Sequence, residues 1–160
     1  MQKRILRTYL NEYNQPFLAE SQEIYTVERD DDYSNTRKII ELAIQLDCHR
    51  MAEENVFCLC LDNKYYPTGL FKISTGSIDS ACFPVRELFQ KALLLGAKDI
   101  VIWHNHPSGD PTPSFIDRRT TGRCKEAGDM IGINIIDHIV IGRNNDYSIV
   151  QDKNIKRGDD

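Results

Sequence analysis

Two histidines stand one residue apart in the run WHNHPSGDPTPSFID, residues 103–117, and an aspartate follows them. On an extended strand, side chains two residues apart point to the same face, so His104 and His106 are expected to face one side together. Two imidazoles and one carboxylate, here Asp117, are the protein ligands of a catalytic zinc that keeps one position open. Short patterns of this kind also recur by chance, so the residues alone leave two interpretations open, a metal site or a solvated turn.

The elements on either side of this loop are the ones that would position such a site. DIVIW, residues 99–103, is a short continuous apolar run, which is typical of a central strand buried on both faces. Helical spacing resumes over residues 114–131, where Ser114 followed three residues later by Asp117 predicts a helix start. Three prolines stiffen the loop between them, which reduces the entropy lost when the loop is held in one conformation.

The period of the apolar residues predicts further elements along the rest of the chain. One helix is predicted from about Ser34, with Ser34 or Asn35 as its cap, and another begins at Pro84 and ends at Gly96. Turn residues separate the strands VFCLCLD (56–62) and LFKIST (70–75), which predicts a hairpin or a meander. INIIDHIVIG predicts a strand that pairs with YSIV (147–150) across the turn RNND.

These elements predict a single domain of the α/β (α+β) class, with one mixed β-sheet flanked by helices. Residues 1–33 mix basic, apolar and acidic pieces without a clear period, and they are assigned to an N-terminal arm. The domain itself is then expected to span residues 34–150. Residues 151–160 are assigned to a polar C-terminal tail that is expected to fray.

The composition of the 160-residue chain disfavours several classes of function. No apolar run approaches the roughly 20 residues that a membrane-spanning helix requires, which predicts a soluble protein without a membrane partner. Five cysteines, together with the lack of a segment resembling a signal peptide, favour a reducing, cytoplasmic compartment. A net charge of -4 disfavours nucleic-acid binding, although it is compatible with a local basic patch.

The run HNHPSGDPTPSFID matches the pattern H-x-H-P-x(6)-S-x(2)-D with every spacing kept. In this pattern the chain resembles the JAB/MPN metalloprotease superfamily, also called JAMM. The surrounding run VRELFQKALLLGAKDIVIWHNHPSGDPTPS and the later GINIIDHIVIG resemble its bacterial RadC-like branch. The resemblance covers about residues 54–150, and it implies a JAB/MPN-like domain that uses Zn²⁺ to hydrolyse peptide or isopeptide bonds.

The resemblance also implies which glutamate moves protons in the reaction. In the superfamily, two histidines and an aspartate bind zinc, and a glutamate on the first strand acts through the water. EENVFCLCLD resembles that strand, and its register puts Glu54 on the glutamate position. From the residues alone Glu53 and Glu87 compete with it, because separation in sequence does not say which carboxylate folds over the loop.

Other polar residues have a structural interpretation beside a functional one. The resemblance implies that Ser114 hydrogen-bonds the oxygen that becomes anionic during the reaction, while its structural role is a helix cap. His138 could orient a metal ligand, but a hydrogen-bonded structural histidine is the favoured interpretation. Cys58 and Cys60 share one face of a predicted strand and lack a second cysteine pair, so they are assigned to core packing.

The expected partner is a protein or peptide substrate, and ubiquitin-like or modified proteins are candidates because superfamily members cut amide and isopeptide bonds. Two other functions are also compatible with the resemblance: a DNA repair or DNA-processing accessory protein, and a JAB scaffold without catalysis. The DNA role is not favoured, because residues 1–50 lack the glycines on which helix-hairpin-helix modules depend. The complete ligand set argues against a scaffold.

Overall fold

The computed structural model describes residues 1–28, 31–76 and 83–158. These residues form eight strands, which are β1 (Gln2–Leu10), β2 (Pro16–Thr26), β3 (Asn55–Leu61), β4 (Pro67–Thr75), β5 (Asp99–Asn105), β6 (Asn134–Ile141), β7 (Asn145–Ser148) and β8 (Lys153–Lys156). The α-helices of the described part are α1 (Thr36–Gln45), α2 (Val85–Leu94) and α3 (Phe115–Ile131). The strands join one mixed sheet in the order β2-β1-β4-β3-β5-β6-β7-β8, which confirms the predicted fold class.

The two central strands carry continuous apolar runs because helices cover both faces of the sheet. Every residue of β3 and β5 is buried. Successive side chains alternate between the faces, so Phe57 and Trp103 join the core beneath α1, while Cys58 and Ile102 join the core beneath α2 and α3. The predicted burial of DIVIW on both faces and the core role of the cysteine pair are confirmed.

The helix ends follow from capping residues that the sequence predicts. Asn35 caps α1, because its side chain accepts a hydrogen bond from the Arg37 amide. Helix α2 starts after Pro84 and is closed by Gly96, whose φ of 61° is favourable only for glycine and a few polar residues. Helix α3 begins with a capping box between Ser114 and Asp117.

Near the C-terminus one prediction holds with shifted bounds and another was wrong. The strand predicted at residues 147–150 pairs with β6 as expected, but it lies at Asn145–Ser148 because the turn ends before Asn145. The tail expected to fray instead forms β8, which pairs with β7. Its anchor is an ion pair between Arg157 and Asp146, since a fully buried carboxylate needs a partner of opposite charge.

Strands also occupy the segment assigned to an N-terminal arm. The antiparallel pair β1 and β2 joins the main sheet through a parallel contact in which Leu6 lies opposite Phe71. The sheet therefore continues beyond both ends of residues 34–150. Asp159 and Asp160 of the predicted tail lie outside the described residues.

Two further observations bear on the compositional predictions. Cys48, Cys58, Cys60 and Cys124 are buried and unbridged, and Cys82 lies outside the described residues. Among the helices that the structure describes, none combines the length and apolar character needed to cross a bilayer.

Candidate metal centre

The two histidines of the loop lie at the end of β5 and face the same side of the sheet. His104 Nε2 and His106 Nε2 are 3.1 Å apart, as the two-residue alternation predicts. Asn105 points the other way, where its side chain accepts from the Asn55 amide and donates to the Glu53 carbonyl. These hydrogen bonds tie the strand end that carries the histidines to the segment that precedes β3.

The aspartate reaches the histidines from the first turn of α3. Asp117 is buried, with Oδ1 3.4 Å from His104 Nε2 and Oδ2 3.5 Å from His106 Nε2. The capping box fixes its orientation, because the Ser114 amide donates to Asp117 Oδ2 over 2.7 Å. The end of β5 and the start of α3 thus bring the side chains of His104, His106 and Asp117 together.

Of the three glutamates that the sequence left in competition, the structure brings Glu54 to the histidines. Glu54 Oε1 lies 3.8 Å from His104 Nε2. Glu53 is exposed, and the Glu87 carboxylate pairs with Arg86 on α2. Within the described residues, Glu54, His104, His106 and Asp117 form a cluster whose donor atoms all lie within 4.8 Å of one another.

The distances in this cluster fit a tetrahedral metal ion. Zinc bonds of about 2.0–2.1 Å in tetrahedral geometry place neighbouring donor atoms about 3.3 Å apart. The separations of 3.1, 3.4 and 3.5 Å among His104, His106 and Asp117 are close to that value, and the Glu54 separation of 3.8 Å is longer. The donor set of two imidazoles and one carboxylate therefore suits a zinc ion, with the glutamate beside it.

The electrostatics of the cluster keep its carboxylate ionised. Burial acts to raise the pKa of Asp117, but the neighbouring side chains of His104, His106 and Ser114 outweigh burial and hold this pKa well below its usual range. Burial acts to lower the pKa of His106, but hydrogen bonds with Asp117 and the Asp110 carbonyl outweigh it and raise this pKa. Asp117 is thus available as an anionic ligand at any physiological pH.

A chain of hydrogen bonds fixes the tautomer of His104. The Thr121 hydroxyl donates to the Asp117 carbonyl over 2.7 Å, so the same oxygen accepts from His138 Nδ1, also over 2.7 Å. Burial lowers the pKa of His138 to about 3, so its neutral ring has one N–H, and Nε2 must accept. The donor to that nitrogen is His104 Nδ1 at 2.9 Å, which leaves the lone pair of His104 Nε2 directed at the cluster.

The second histidine of the loop is oriented in a similar way. His106 Nδ1 donates to the Asp110 carbonyl over 2.8 Å, and its Nε2 then faces the cluster. His138 is the buried hydrogen-bonded histidine that the sequence analysis favoured, and its partner is a candidate ligand. His138 therefore fits both interpretations, because it is a buried hydrogen-bonded histidine and it also orients His104.

We expect Thr121→Val to weaken zinc binding about tenfold, because loss of the hydroxyl leaves His138 Nδ1 without its acceptor and frees the tautomer of His104. Competition with a chromophoric chelator measures this affinity. The matched control is Thr120→Val, since Thr120 is buried on the same helix and its hydroxyl has no partner in the described structure. Equal zinc affinities for the two variants would contradict the chain of hydrogen bonds.

The structure shows the capping role of Ser114 directly. Its hydroxyl donates to Asp117 Oδ2 over 2.6 Å and accepts from the Asp117 amide over 3.1 Å. Thr121 and Asn105 support the site without having been predicted from the sequence. Thr121 lies one helical turn after Asp117, and Asn105 lies between the two histidines, so position relative to a candidate ligand is the signal that could have found them.

Several known proteins and one protein family are similar to this chain. A family model described as the RadC-like JAB domain matches residues 17–155. A UPF0758 protein of Clostridium novyi is 44% identical over 103 residues, which cover 64% of this chain and 45% of that protein. UPF0758 proteins of Thermotoga maritima and Staphylococcus epidermidis are 37% and 41% identical, over 61% and 63% of this chain and 44% and 45% of their own lengths. The chain spans less than half the length of these relatives.

Proposed function

The chain belongs to the RadC-like JAB domain family, and from this premise we propose that it is a zinc-dependent hydrolase that cleaves a peptide or isopeptide bond. The observation that carries the proposal is the convergence of four donor groups within 4.8 Å, three of which, on His104, His106 and Asp117, have separations that fit a tetrahedral ion. His104, His106 and Asp117 would hold the ion. A protein or peptide with an accessible amide, such as a ubiquitin-like or otherwise modified protein, would be the substrate.

In this proposal, three side chains hold the metal ion and a fourth transfers protons. Bound zinc would supply Lewis acidity, which lowers the pKa of water from about 15.7 toward about 7. Glu54 accepts a proton from the attacking water at its carboxylate as the oxygen bonds to the amide carbon. When the carbon–nitrogen bond breaks, Glu54 delivers that proton to the leaving amine. The Glu54 carboxylate lies 3.8 Å from His104 Nε2. This separation is longer than those among His104, His106 and Asp117, which supports a role beside the ion rather than as one of its ligands.

Ser114 is proposed to stabilise the oxygen that becomes anionic. Its hydroxyl stands at the start of α3, where the positive end of the helix dipole also favours negative charge. In this role the hydroxyl turns from Asp117 to the substrate oxygen. The Ser114 amide continues to hold Asp117 in place, because the backbone arm of the capping box is independent of the hydroxyl proton.

We expect the zinc-loaded protein to cleave peptide or isopeptide substrates, to lose this activity with a chelator, and to regain it when zinc is restored. Single-stranded DNA is the third substrate in the assay. When a protein binds DNA by neutralising 6–10 phosphates, its affinity for DNA falls roughly 10³–10⁵-fold as the salt concentration rises from about 50 to 200 mM. We do not expect such a salt-dependent affinity for DNA in this protein. Metal-dependent cleavage of DNA, absent in His106→Ala, would overturn the choice of an amide substrate. Lack of cleavage of every substrate by zinc-loaded protein would favour a scaffold.

A further inference from the structure

A basic cleft is lined in part by the loop that carries the candidate metal ligands. It has a volume of about 870 Å³, and its lining includes His49, Arg50, Pro107, Arg143 and Arg157. Pro107 directly follows His106, so the metal-binding loop forms one wall.

The opposite wall is tied to the same site. Met51 and Ala52 line the cleft a few residues before Glu54, and the Met51 carbonyl accepts a hydrogen bond from Asn105 Nδ2 over 3.3 Å. Asn105 lies between the two histidines. The cleft is therefore bounded by the loop that follows the two histidines and by the residues that precede Glu54.

Two of the three arginines of the cleft retain uncompensated charge. Arg157 donates to Asp146 Oδ2 over 2.8 Å, and this ion pair is neutral overall. Across residues 1–28, 31–76 and 83–158, Arg50 and Arg143 have no carboxylate partner, and both are exposed. The cleft therefore has a local positive charge on a chain whose net charge is -4.

Arg143 is held against the metal-binding loop. Its amide donates to the Gly109 carbonyl over 2.9 Å, and its carbonyl accepts from Arg157 Nη1 over 2.8 Å. A Cβ at Gly109 would lie only 3.5 Å from Nε and 3.8 Å from Cζ of Arg143, so the guanidinium lies over the loop. The backbone anchors and the loop contact limit where this cation can go, which lowers the entropy lost when it binds an anion.

We propose that this cleft binds a carboxylate of the substrate, so that the preferred substrates carry an acidic residue or a chain terminus close to the scissile amide. This inference rests on the proposed amide hydrolysis. Guanidinium groups match the planar geometry of a carboxylate and bind it through two parallel hydrogen bonds. A single carboxylate needs only local charge, whereas a phosphate backbone would meet the acidic remainder of the chain.

The test uses a labelled peptide ending in Gly-Gly-Glu-Glu and a neutral counterpart ending in Gly-Gly-Gln-Gln. Fluorescence anisotropy measures their binding to zinc-loaded Glu54→Gln protein, in which the proposed proton transfer to the probe is blocked. The acidic peptide is expected to bind about tenfold more tightly, and Arg50→Gln/Arg143→Gln in the same background should abolish the difference. The control Arg7→Gln/Arg86→Gln removes the same charge outside the cleft and should preserve it.

Three results would overturn the inference. The preference for the acidic peptide could persist without Arg50 and Arg143, it could fall equally in the control, or a short oligothymidine could bind through the same arginines more tightly than the acidic peptide. Charge-dependent peptide binding in a protein that cleaves no amide would instead refute the hydrolase proposal and leave the carboxylate site standing. Amide cleavage that depends neither on the acidic residues of the substrate nor on Arg50 and Arg143 would refute the carboxylate site and leave the hydrolase proposal standing.

Discussion

Glu54→Gln is expected to reduce turnover at least about a hundredfold while the zinc content stays at the wild-type level. Glutamine keeps nearly the shape and hydrogen-bonding capacity of glutamate, but it cannot accept a proton. General-base assistance contributes typically 10²–10⁴-fold, and Glu54 is the carboxylate that the structure brings beside the histidines in addition to Asp117. The measurements are kcat on any substrate that the wild type cleaves and the zinc content of the purified variant.

The chain offers two controls for this experiment. Glu53→Gln and Glu87→Gln make the same chemical change at carboxylates outside the cluster, and both should retain activity within about twofold, as surface substitutions away from a site generally do. Loss of zinc in Glu54→Gln would make Glu54 a ligand and refute its role in proton transfer. Full activity in Glu54→Gln, with loss of activity in either control, would refute the assignment itself.

His106→Ala is expected to lose most of its zinc and, with it, the hydrolytic activity. Two protein ligands hold zinc poorly, so the affinity should fall by more than about a hundredfold. The fold should persist, because both hydrophobic cores are built without this side chain. Competition with a chelator measures the affinity, and circular dichroism measures the fold.

Thermal unfolding separates loss of metal from loss of structure in this variant. Zinc at about 1,000 times its Kd stabilises the native state by about 4 kcal/mol, which raises the Tm of a domain this size by roughly 10 °C. We expect the full increase in the wild type and, at the same zinc concentration, at most about a third of it in His106→Ala, whose Kd is expected to be more than about a hundredfold higher. His49→Ala is the matched control and should keep the increase, because His49 lies outside the cluster. An equal zinc-dependent increase in His106→Ala would contradict the ligand assignment.

The sequence predicts the parts of the site that depend on local geometry. The period of two on a strand brings His104 and His106 together, and the spacing of Ser114 and Asp117 predicts the capping box that orients the aspartate. The central strands are recognisable because sheets covered on both faces require continuous apolar runs. Each of these features is decided by residues within a few positions of one another.

The features that the sequence analysis missed depend on contacts between distant segments. β1 and β2 are polar and alternate irregularly, and they join the sheet because β1 pairs with β4 and β2 pairs with β1. β8 is a short polar edge strand, anchored by the pairing of Arg157 with Asp146. Residues alone could not choose Glu54 over Glu53, because its proximity to His104 arises only when β3 and β5 pair.

Anomalous diffraction at the zinc absorption edge, from crystals of zinc-loaded protein, tests the metal centre most directly. We expect one peak per chain, within about 2.0–2.2 Å of His104 Nε2, His106 Nε2 and an Asp117 carboxylate oxygen, with Glu54 beyond bonding distance. The three protein ligands would then leave a position open for water. A zinc-loaded crystal with no peak among these side chains, or with its peak elsewhere on the chain, would contradict the metal centre and the hydrolase built on it.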